Sequence, residues 1–258
     1  MTKRSSTPLL PAFERNGYVV RFAVSDADLR SAQKLRHLCF VEQAGLPARA
    51  DGRDTDGFDA SCDHVLVEDS HGQVLGCFRV QVFGSGAALG DCYASQYYDL
   101  GRLSPYDAPM VELGRFCIHP ASTDGNVVRM AWGMLAAFVD AQGAGMLFGC
   151  SSFEGVEGTR YRDAFDLLAD NYLAPANQMP KVNAPKTLSF ANDAKPIQDQ
   201  RKALGQLPPL LKTYLTMGGW VSDHAVIDHE MNTTHVFTGL EIASIPPARA
   251  KALRAILG

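Results

Sequence analysis

The segment that decides the fold begins with the run Val111-Glu-Leu-Gly-Arg-Phe-Cys-Ile-His119. Its branched and aromatic residues predict a β-strand over residues 111–119. A strongly periodic apolar pattern follows and predicts a helix over residues 126–142. A short apolar run then predicts a buried strand over residues 146–151. A strand, a helix and a second strand in this order indicate a layered α/β fold.

Further elements are predicted on the N-terminal side of this segment. Ser25 and Asp28 have the spacing of a capping box and mark the start of a helix over residues 25–45. Residues 64–68 and 74–83 are rich in β-branched residues, and a short polar turn joins them. This pattern predicts a β-hairpin.

On the C-terminal side, helices and strands continue to alternate. The predicted elements are, in chain order, a helix over 158–172, an irregular, proline-bearing insertion over 173–207, a helix over 208–217, strands over 225–228 and 235–242, and an amphipathic helix over 246–257. Together with the hairpin, they predict a mixed α/β layer fold whose sheet is antiparallel at its ends.

The composition is that of an ordinary globular chain, with 46% hydrophobic and 20% charged residues among 258. The net charge of −4 argues against a nucleic-acid-binding protein, because such domains are strongly basic. No apolar run is long enough to span a membrane, and the N-terminal stretch lacks the apolar core of a secretory signal. We therefore expect a cytoplasmic protein with an N-terminal tail (1–17), a single α/β domain (18–245) and a C-terminal amphipathic helix (246–258).

Six cysteines lie far apart in the sequence, and no two of them form a C-x-x-C pair. In a chain without a secretory signal, they are expected to be free thiols that pack as small apolar side chains. The seven histidines show no H-E-x-x-H pattern, and Cys62 with His64 supplies too few ligands for a metal site. We therefore expect no bound metal.

Two glycine-containing stretches resemble known motifs without matching them. Residues 84–90 have one residue too many before the last glycine of a dinucleotide motif, and no apolar helix follows. Residues 149–155 contain Ser151 but lack the second glycine of G-x-S-x-G at the required position. Neither a dinucleotide site nor a nucleophile elbow is predicted.

Charged residues occur inside predicted strands, where a core favours apolar side chains. The residues concerned, with their candidate partners, are Arg36, Arg79, Arg115, Asp56, Asp59 and Glu112. Buried charges must be paired, because desolvating a lone charge is costly. One interpretation is a purely structural ion-pair network. The other is a pocket for a zwitterion, which needs carboxylates and arginines side by side.

Several motifs resemble, in the same order, those of the bacterial ornithine–acyl-carrier-protein N-acyltransferases. This family is a branch of the GNAT N-acyltransferases and is similar to the acyl-homoserine-lactone synthases. The motifs extend over residues 18–242 and include Leu35-Arg36 with Phe40-Val-Glu42, Arg53-Asp-Thr-Asp56-Gly-Phe58-Asp59-Ala-Ser-Cys62-Asp63-His64, Gly76-Cys-Phe-Arg79, Tyr93-Ala-Ser-Gln-Tyr97-Tyr-Asp99-Leu100, Glu112-Leu-Gly-Arg115-Phe-Cys117 and Phe148-Gly-Cys150-Ser-Ser-Phe153.

The resemblance implies a single GNAT domain with a mixed, splayed sheet flanked by helices. It also implies transfer of a 3-hydroxyacyl group from acyl carrier protein to the α-amine of ornithine, which yields lyso-ornithine lipid. No resident cofactor is implied, because the acyl donor carries its own phosphopantetheine. The alternatives are N-acylation of another amino acid such as glutamine, acyl-homoserine-lactone synthesis, and a non-catalytic acyl-binding regulatory module.

The resemblance further implies roles for individual residues. Glu112 is the candidate general base for the amine, and Tyr214, four residues before Gly218, is the candidate acid for the departing thiolate. Backbone N–H groups from Arg115 to Cys117 are candidate oxyanion donors. The candidate substrate-binding residues are Arg36, Phe40, Asp56, Asp59, Arg79 and Arg115, and the candidate donor-binding residues are Cys117, Asn126, Ser151, Lys195, Arg201 and Lys202.

The chain departs from related enzymes after the motif strand. Residues 119–126 lack a basic, glycine-bearing turn for the pyrophosphate of coenzyme A, which favours a carrier-protein donor. Residues 181–212 carry six basic and two acidic side chains and are predicted to dock an acidic carrier protein. A solvated loop and peripheral contact with the cytoplasmic face of the inner membrane are the alternatives. In the membrane alternative, the apolar contacts come from Leu204, Leu207, Leu210 and Leu211.

Overall fold

The computed structural model describes residues 10–191, 197 and 199–257. In that part of the chain it contains eleven β-strands and six α-helices. The strands are β1 (Phe13–Arg15), β2 (Tyr18–Phe22), β3 (Asp63–Asp69), β4 (Val74–Phe83), β5 (Tyr98–Asp99), β6 (Met110–Ile118), β7 (Met146–Glu154), β8 (Lys181–Val182), β9 (Thr187–Ser189), β10 (Trp220–Asp228) and β11 (Thr233–Glu241). The α-helices are α1 (Asp26–His37), α2 (Gly125–Ala141), α3 (Arg162–Asn171), α4 (Gln200–Gln206), α5 (Pro209–Thr216) and α6 (Pro247–Arg254).

The chain forms two compact units that alternate along the sequence. The first comprises the described residues up to Val82, residues 113–144 and the described residues from Pro247 onward. The second comprises residues 83–112 and the described residues within 145–246. Strand β6 therefore contributes its first three residues to the second unit and the remainder to the first.

The first unit is built on antiparallel strands in the order β1–β2–β3–β4. The turn between β1 and β2 is Asn16-Gly17, whose φ values are 54° and 79°. Positive φ at both central residues is what a tight type I′ hairpin requires, and Asn-Gly is its preferred pair. Helix α2 packs on β2 and β3, and the ring centroids of Phe22 and Phe138 lie 5.4 Å apart.

The second unit contains an antiparallel sheet in the order β7–β11–β10–β9, together with a short β5–β8 pair. One face of the sheet holds a core with stacked rings of Phe148, Trp220 and Phe237. On the other face, Phe153 and Phe165 pack with residues of α3, α4 and α5. Both faces of this sheet are therefore covered by apolar side chains.

Most predicted elements are confirmed, with shifted boundaries. Ser25 caps α1 and forms the complete capping box with Asp28. The predicted helix over 25–45 is α-helical only as far as His37 and continues as a π-helix over Leu38–Glu42. The predicted hairpin is β3–β4, and the strand, helix and strand that open the sequence analysis are β6, α2 and β7.

Other elements differ from the expectation. Strands β1 and β2 are missing from the predicted set, although the Asn16-Gly17 turn is a strong hairpin signal. The insertion over 173–207, expected to be irregular, contains β8, β9 and α4. Helix α4 begins at Asp199, whose side chain accepts a hydrogen bond from the N–H of Lys202. The helix is hard to predict because it is short and prolines lie on both sides of it.

All six cysteines are free thiols, as predicted. Four are buried, while Cys39 and Cys150 are half-buried. No helix in the described ranges is both long enough and apolar enough to cross a bilayer. The domain limits at residues 18 and 245 stay a prediction.

Candidate active site

An ion-pair network of three arginines and three aspartates lies in the first unit. Its members come from α1, from the loop before β3, from β4 and from β6, and they are Arg36, Asp54, Asp56, Asp59, Arg79 and Arg115. Each arginine contacts two of the aspartates, and each aspartate contacts two of the arginines. The network therefore closes into a ring of alternating charge.

Arg36 and Arg79 form the buried side of this ring. Arg36 Nε lies 2.8 Å from Asp54 Oδ2, and its Nη1 lies 2.7 Å from Asp59 Oδ1. Arg79 Nη1 lies 2.6 Å from Asp56 Oδ1 and 2.7 Å from Asp59 Oδ1. A second contact, from Arg79 Nη2 to Asp56 Oδ2 at 2.8 Å, makes that pair bidentate. Bidentate pairs hold both groups in one orientation.

Arg115 closes the ring from the motif strand. Its Nε lies 2.9 Å from Asp54 Oδ2, and its Nη2 lies 3.1 Å from Asp56 Oδ2. The guanidinium carbon is 6.0 Å from the centroid of the Phe40 ring. Arg115 has a φ of 52°, a left-handed conformation that is uncommon for a residue with a side chain. Strained backbone of this kind persists only where surrounding contacts hold it, and here the two ion pairs do so.

The carboxyl groups of the network are ionised. Burial by itself raises the pKa of Asp56, but Arg79 and Arg115 outweigh burial and hold that pKa at about 2. Burial also opposes ionisation of Asp54 and Asp59, and the neighbouring arginines nevertheless lower both pKa values. Because arginine keeps its proton in proteins, the three positive and three negative charges cancel.

The ring has one edge that is partly exposed. The side chain of Asp56 is 21% exposed and that of Arg115 is 10% exposed, whereas the other four members are at most 8% exposed. A carboxylate and a guanidinium side by side match the ammonium and carboxylate of an α-amino acid. The Asp56–Arg115 edge is therefore the part of the network that can bind a zwitterion.

The network contains one residue that is absent from the predicted set. Asp54 is fully buried and contacts both Arg36 and Arg115. Its signal in the sequence is the spacing Asp54-x-Asp56-x-x-Asp59, which repeats an acidic residue within one short loop. Among the described residues, no group of three or more histidine, cysteine, aspartate or glutamate side chains is arranged to hold a metal ion.

Glu112, the candidate base, lies on the part of β6 that belongs to the second unit. Its Oε2 accepts a hydrogen bond from the N–H of Tyr93 at 2.9 Å, and its Oε1 accepts one from the N–H of Ala94 at 2.8 Å. These donors stand at the start of a 3₁₀ turn over Ala94–Gln96. The two N–H donors therefore anchor the Glu112 carboxylate at this turn.

Tyr214, the candidate acid, lies on α5 and is buried in the second unit. Burial raises the pKa of its phenol, and electrostatic interaction with Cys150 and Glu112 raises it further. The phenol therefore keeps its proton throughout the physiological pH range. It can donate that proton only to a strongly basic group, such as a thiolate.

The side chains of the predicted donor-binding residues lie in different surroundings. Cys117 is buried in the first unit, with its Sγ 3.5 Å from that of Cys77. Ser151 is buried in the second unit and accepts a hydrogen bond from Thr238 Oγ1 at 2.9 Å. Asn126 is half-buried in the first turn of α2. Donor binding by these residues stays a prediction, and Cys117 can contribute only its backbone.

Asp124 occupies the N-terminus of α2. Its Oδ1 accepts a hydrogen bond from the N–H of Asn126 at 2.8 Å, and the hydroxyl of Tyr18 donates to its Oδ2 at 2.7 Å. The N-terminus of a helix favours negative charge and often binds phosphate. Here a carboxylate of the chain itself already supplies that charge.

The predicted docking segment, residues 181–212, is described only in part. Lys195 lies outside the described residues. Arg201 and Lys202 are exposed on α4, and Lys202 Nζ forms a 2.7 Å ion pair with Asp163. Lys181 is also exposed. Exposed lysine and arginine side chains in this segment are compatible with an acidic partner.

The apolar contacts expected for the membrane alternative are largely wrong. Leu207 and Leu211 are buried in the core of the second unit, and Leu210 is half-buried. Leu204 is the exposed member of the set, at 41%. The cause is that Leu207, between α4 and α5, and Leu211, on α5, pack into the core that residues of α3 also form.

Comparison with known proteins identifies the family. A model of the GNAT acetyltransferase domain matches residues 35–133. An L-ornithine Nα-acyltransferase from Rhodobacter capsulatus is 31% identical over 85% of this chain and 88% of that protein. A protein of the same name from Agrobacterium fabrum is 32% identical over 87% of this chain and 81% of that protein. The chain belongs to the L-ornithine Nα-acyltransferase family.

A solved structure shows the same fold. FeeM, an N-acyl amino acid synthase from uncultured soil microbes, aligns with a TM-score of 0.51 over 88% of this chain and 92% of its own, at 10% identity. At that identity the likeness concerns the fold alone. The matched GNAT residues contain every member of the Arg–Asp ring and Glu112. The predicted family, the GNAT α/β fold and the acyltransferase class are therefore confirmed.

Proposed function

We propose that this acyltransferase moves a 3-hydroxyacyl group from acyl carrier protein to the α-amine of ornithine, giving lyso-ornithine lipid. The observation that carries the proposal is the closed Arg–Asp ring with its partly exposed Asp56–Arg115 edge. The names of the relatives from Rhodobacter capsulatus and Agrobacterium fabrum supply the class of acceptor.

The acceptor binds at the exposed edge of the ring. Asp56, ionised at neutral pH, attracts an ammonium group, and Arg115 holds the carboxylate. Arg115 suits this role better than Arg79, because the side chain of Arg115 is 10% exposed and that of Arg79 is only 3% exposed. The remaining ring members hold this edge in place.

The α-amine must lose a proton before it attacks the thioester. Glu112 is the candidate base that accepts this proton. Hydrogen bonds from the N–H groups of Tyr93 and Ala94 hold this carboxylate in place.

Attack of the amine on the thioester forms an N–C bond and a tetrahedral oxyanion, and its collapse breaks the C–S bond. Backbone N–H groups from Arg115 to Cys117 stabilise the oxyanion, since the left-handed residue at 115 departs from regular strand geometry. The phenol of Tyr214 keeps its proton until the departing pantetheine thiolate takes it.

A carrier-protein donor agrees with the start of α2. Residues 119–124 contain no lysine or arginine, and the carboxylate of Asp124 lies at the helix N-terminus. A coenzyme A pyrophosphate would meet this negative charge, whereas the pantetheine arm of a carrier protein bears one phosphate that can stay outside. No resident cofactor is needed, because the donor brings its phosphopantetheine.

The proposal is tested with the purified full chain. Acyl transfer is measured from 3-hydroxyacyl carrier protein and from 3-hydroxyacyl coenzyme A, with ornithine, glutamine or S-adenosylmethionine as acceptor. We expect Nα-acylornithine as the main product, formed faster from the carrier protein. A main product containing glutamine or homoserine lactone would contradict ornithine as the acceptor. Faster transfer from coenzyme A would contradict acyl carrier protein as the donor. Lipid mass spectrometry of cells that express the chain checks the product independently.

A further inference from the structure

Three of the six cysteines meet in one small apolar cluster of the first unit. Cys39 lies on the π-helix that follows α1, Cys77 lies on β4, and Cys117 lies on β6. These segments are far apart in the sequence, so the fold alone brings the three thiols together. The acyl-transfer chemistry proposed above uses none of the three side chains.

The three thiols form a chain with Cys117 in the middle. Cys77 Sγ lies 3.5 Å from Cys117 Sγ, and Cys39 forms a side-chain hydrogen bond with Cys117. Cys39 Sγ also lies 3.4 Å from the carbonyl oxygen of Ile118. Thiols in hydrogen-bond contact need only small side-chain rotations to reach bonding distance.

The thiols differ in their access to solvent. Cys39 is half-buried, whereas Cys77 is 2% and Cys117 is 6% exposed. A small oxidant can therefore reach Cys39 first. The buried neighbours are protected from direct attack and can react only with a partner inside the cluster.

The thiols also differ in reactivity. The hydrogen bond from Cys117 lowers the pKa of Cys39, and burial raises the pKa of Cys117. Thiolates react with peroxides, while protonated thiols are nearly inert. Reactivity and access therefore favour the same cysteine as the first site of oxidation.

We propose that Cys39 is a peroxide-sensing thiol and that Cys117 resolves it as an intramolecular disulfide. The Cys39 thiolate attacks one oxygen of a hydroperoxide, breaks the O–O bond and becomes a sulfenic acid, while the peroxide leaves as water or an alcohol. The Cys117 sulfur then attacks the sulfenic sulfur while its thiol proton passes to the departing hydroxyl, so one water leaves as the S–S bond forms.

A Cys39–Cys117 disulfide would act on the Arg–Asp ring. Cys117 follows Arg115 by two residues, and Cys39 precedes Phe40, whose ring lies against the guanidinium of Arg115. The new bond would tie the π-helix to the motif strand at this point. We expect oxidation to reduce acyl transfer and a dithiol reductant to restore it.

The test maps thiols directly, so it does not depend on the proposed acyl transfer. The reduced full chain is treated with hydrogen peroxide, alkylated with N-ethylmaleimide and analysed as peptides by mass spectrometry without reduction. We expect a linked pair of peptides containing Cys39 and Cys117. In the variants Cys39→Ser and Cys39→Ala this linkage disappears, and the peroxide concentration that inhibits acyl transfer rises at least about tenfold.

Cys150→Ser serves as the matched control. Cys150 is half-buried like Cys39 but packs in the second unit. This variant should form the Cys39–Cys117 linkage as readily as the unmodified chain. The proposal is overturned if peroxide converts Cys39 to sulfinic acid without a linkage, or if Cys117 is oxidised equally in the Cys39 variants. It is also overturned if Cys39 in the unmodified chain is alkylated no faster than Cys77 and Cys117.

Discussion

At the scale of single residues, Asp54 determines whether the charged ring is held together. It is fully buried and is shared between Arg36 and Arg115. Asp54→Asn would leave two buried guanidiniums without that charge, so we expect a loss of about 3–5 kcal/mol in the free energy of unfolding. Urea unfolding followed by circular dichroism measures the loss.

The matched control for Asp54 is the nearby Asp51. Its side chain is 46% exposed and pairs with Arg53, which is itself one-third exposed. Asp51→Asn should change the free energy of unfolding by no more than about 0.5 kcal/mol. If both substitutions had the same small effect, the ring would not contribute to stability through Asp54.

The variant Glu112→Gln distinguishes a structural anchoring role of Glu112 from a catalytic role. The amide keeps one acceptor oxygen but presents its NH₂ to the N–H of Tyr93 or Ala94, which should cost about 1–3 kcal/mol of stability. If Glu112 is the base, kcat also falls at least about tenfold in protein that thermal melting shows to be folded. A folded variant with wild-type kcat would rule out the catalytic role and leave the anchoring role.

The burial of His235 makes the free energy of unfolding depend on pH. It is buried, and its Nδ1 lies 3.1 Å from the hydroxyl of Tyr98. Burial lowers the pKa of its imidazole from 6.5 to about 4. The unfolded chain therefore binds a proton at a higher pH than the folded chain does. The stabilisation that comes from keeping His235 neutral is therefore complete above pH 6.5. It is lost as the pH falls toward 4.

The expected loss from His235 is about 2 kcal/mol between pH 7 and pH 5. Urea unfolding at both pH values measures it, and His235→Phe should show a smaller difference than the unmodified chain. His71→Ala, which changes an exposed turn histidine, is the control and should retain the full difference. If the free energy of unfolding changes equally between pH 7 and pH 5 in the unmodified chain and in His235→Phe, the change does not come from His235.

At the scale of elements, Asp124 caps the N-terminus of α2 and is also expected to influence which acyl donor the enzyme uses. Asp124→Ala removes the acceptor for the N–H of Asn126 and should cost about 1 kcal/mol of stability. Asp124→Ser keeps an acceptor oxygen without the charge, so its stability should be close to that of the unmodified chain. Thermal melts of the two variants measure this difference.

The same two variants test the proposed preference for a carrier protein over coenzyme A. If the carboxylate of Asp124 repels the pyrophosphate, both substitutions should raise kcat/KM for 3-hydroxyacyl coenzyme A and leave the value for acyl carrier protein nearly unchanged. Kinetics with both donors check this expectation. If the ratio of kcat/KM for the two donors is unchanged in both variants, Asp124 does not determine the donor preference.

At the scale of the whole molecule, charge is unevenly distributed. The chain carries a net charge of −4, yet residues 181–212 hold six basic and two acidic side chains. Reversing Lys195, Arg201 and Lys202 to glutamate should raise the KM for acyl carrier protein and leave the KM for the amino acid unchanged. The donor KM of the unmodified chain should also rise with salt, because salt screens surface charge.

The control for this reversal uses Arg249 and Lys251, which are exposed basic residues of α6 outside the segment. Their reversal should leave the donor KM as it is. Binding to anionic vesicles is measured in parallel. If the triple reversal abolishes vesicle binding while the donor KM stays unchanged, residues 181–212 contact the membrane and do not dock the carrier protein.

What the sequence determines by itself is local. The capping box of Ser25 and Asp28, the β3–β4 hairpin and the succession of β6, α2 and β7 depend on residues close together in the chain, so the sequence pattern reveals them. The Asn16-Gly17 hairpin is equally local and was open to prediction. The charged residues inside β4 and β6 are also visible, because they interrupt apolar runs.

Only the tertiary structure decides which of these residues meet. Asp54 completes the ring because α1 and β6 bring Arg36 and Arg115 to the same loop, and Cys39 joins Cys117 for the same kind of reason. Leu207 and Leu211 are buried because they pack in one core with residues of α3. Contacts of this kind join residues distant in sequence, and their energy depends on burial and geometry that no local pattern contains.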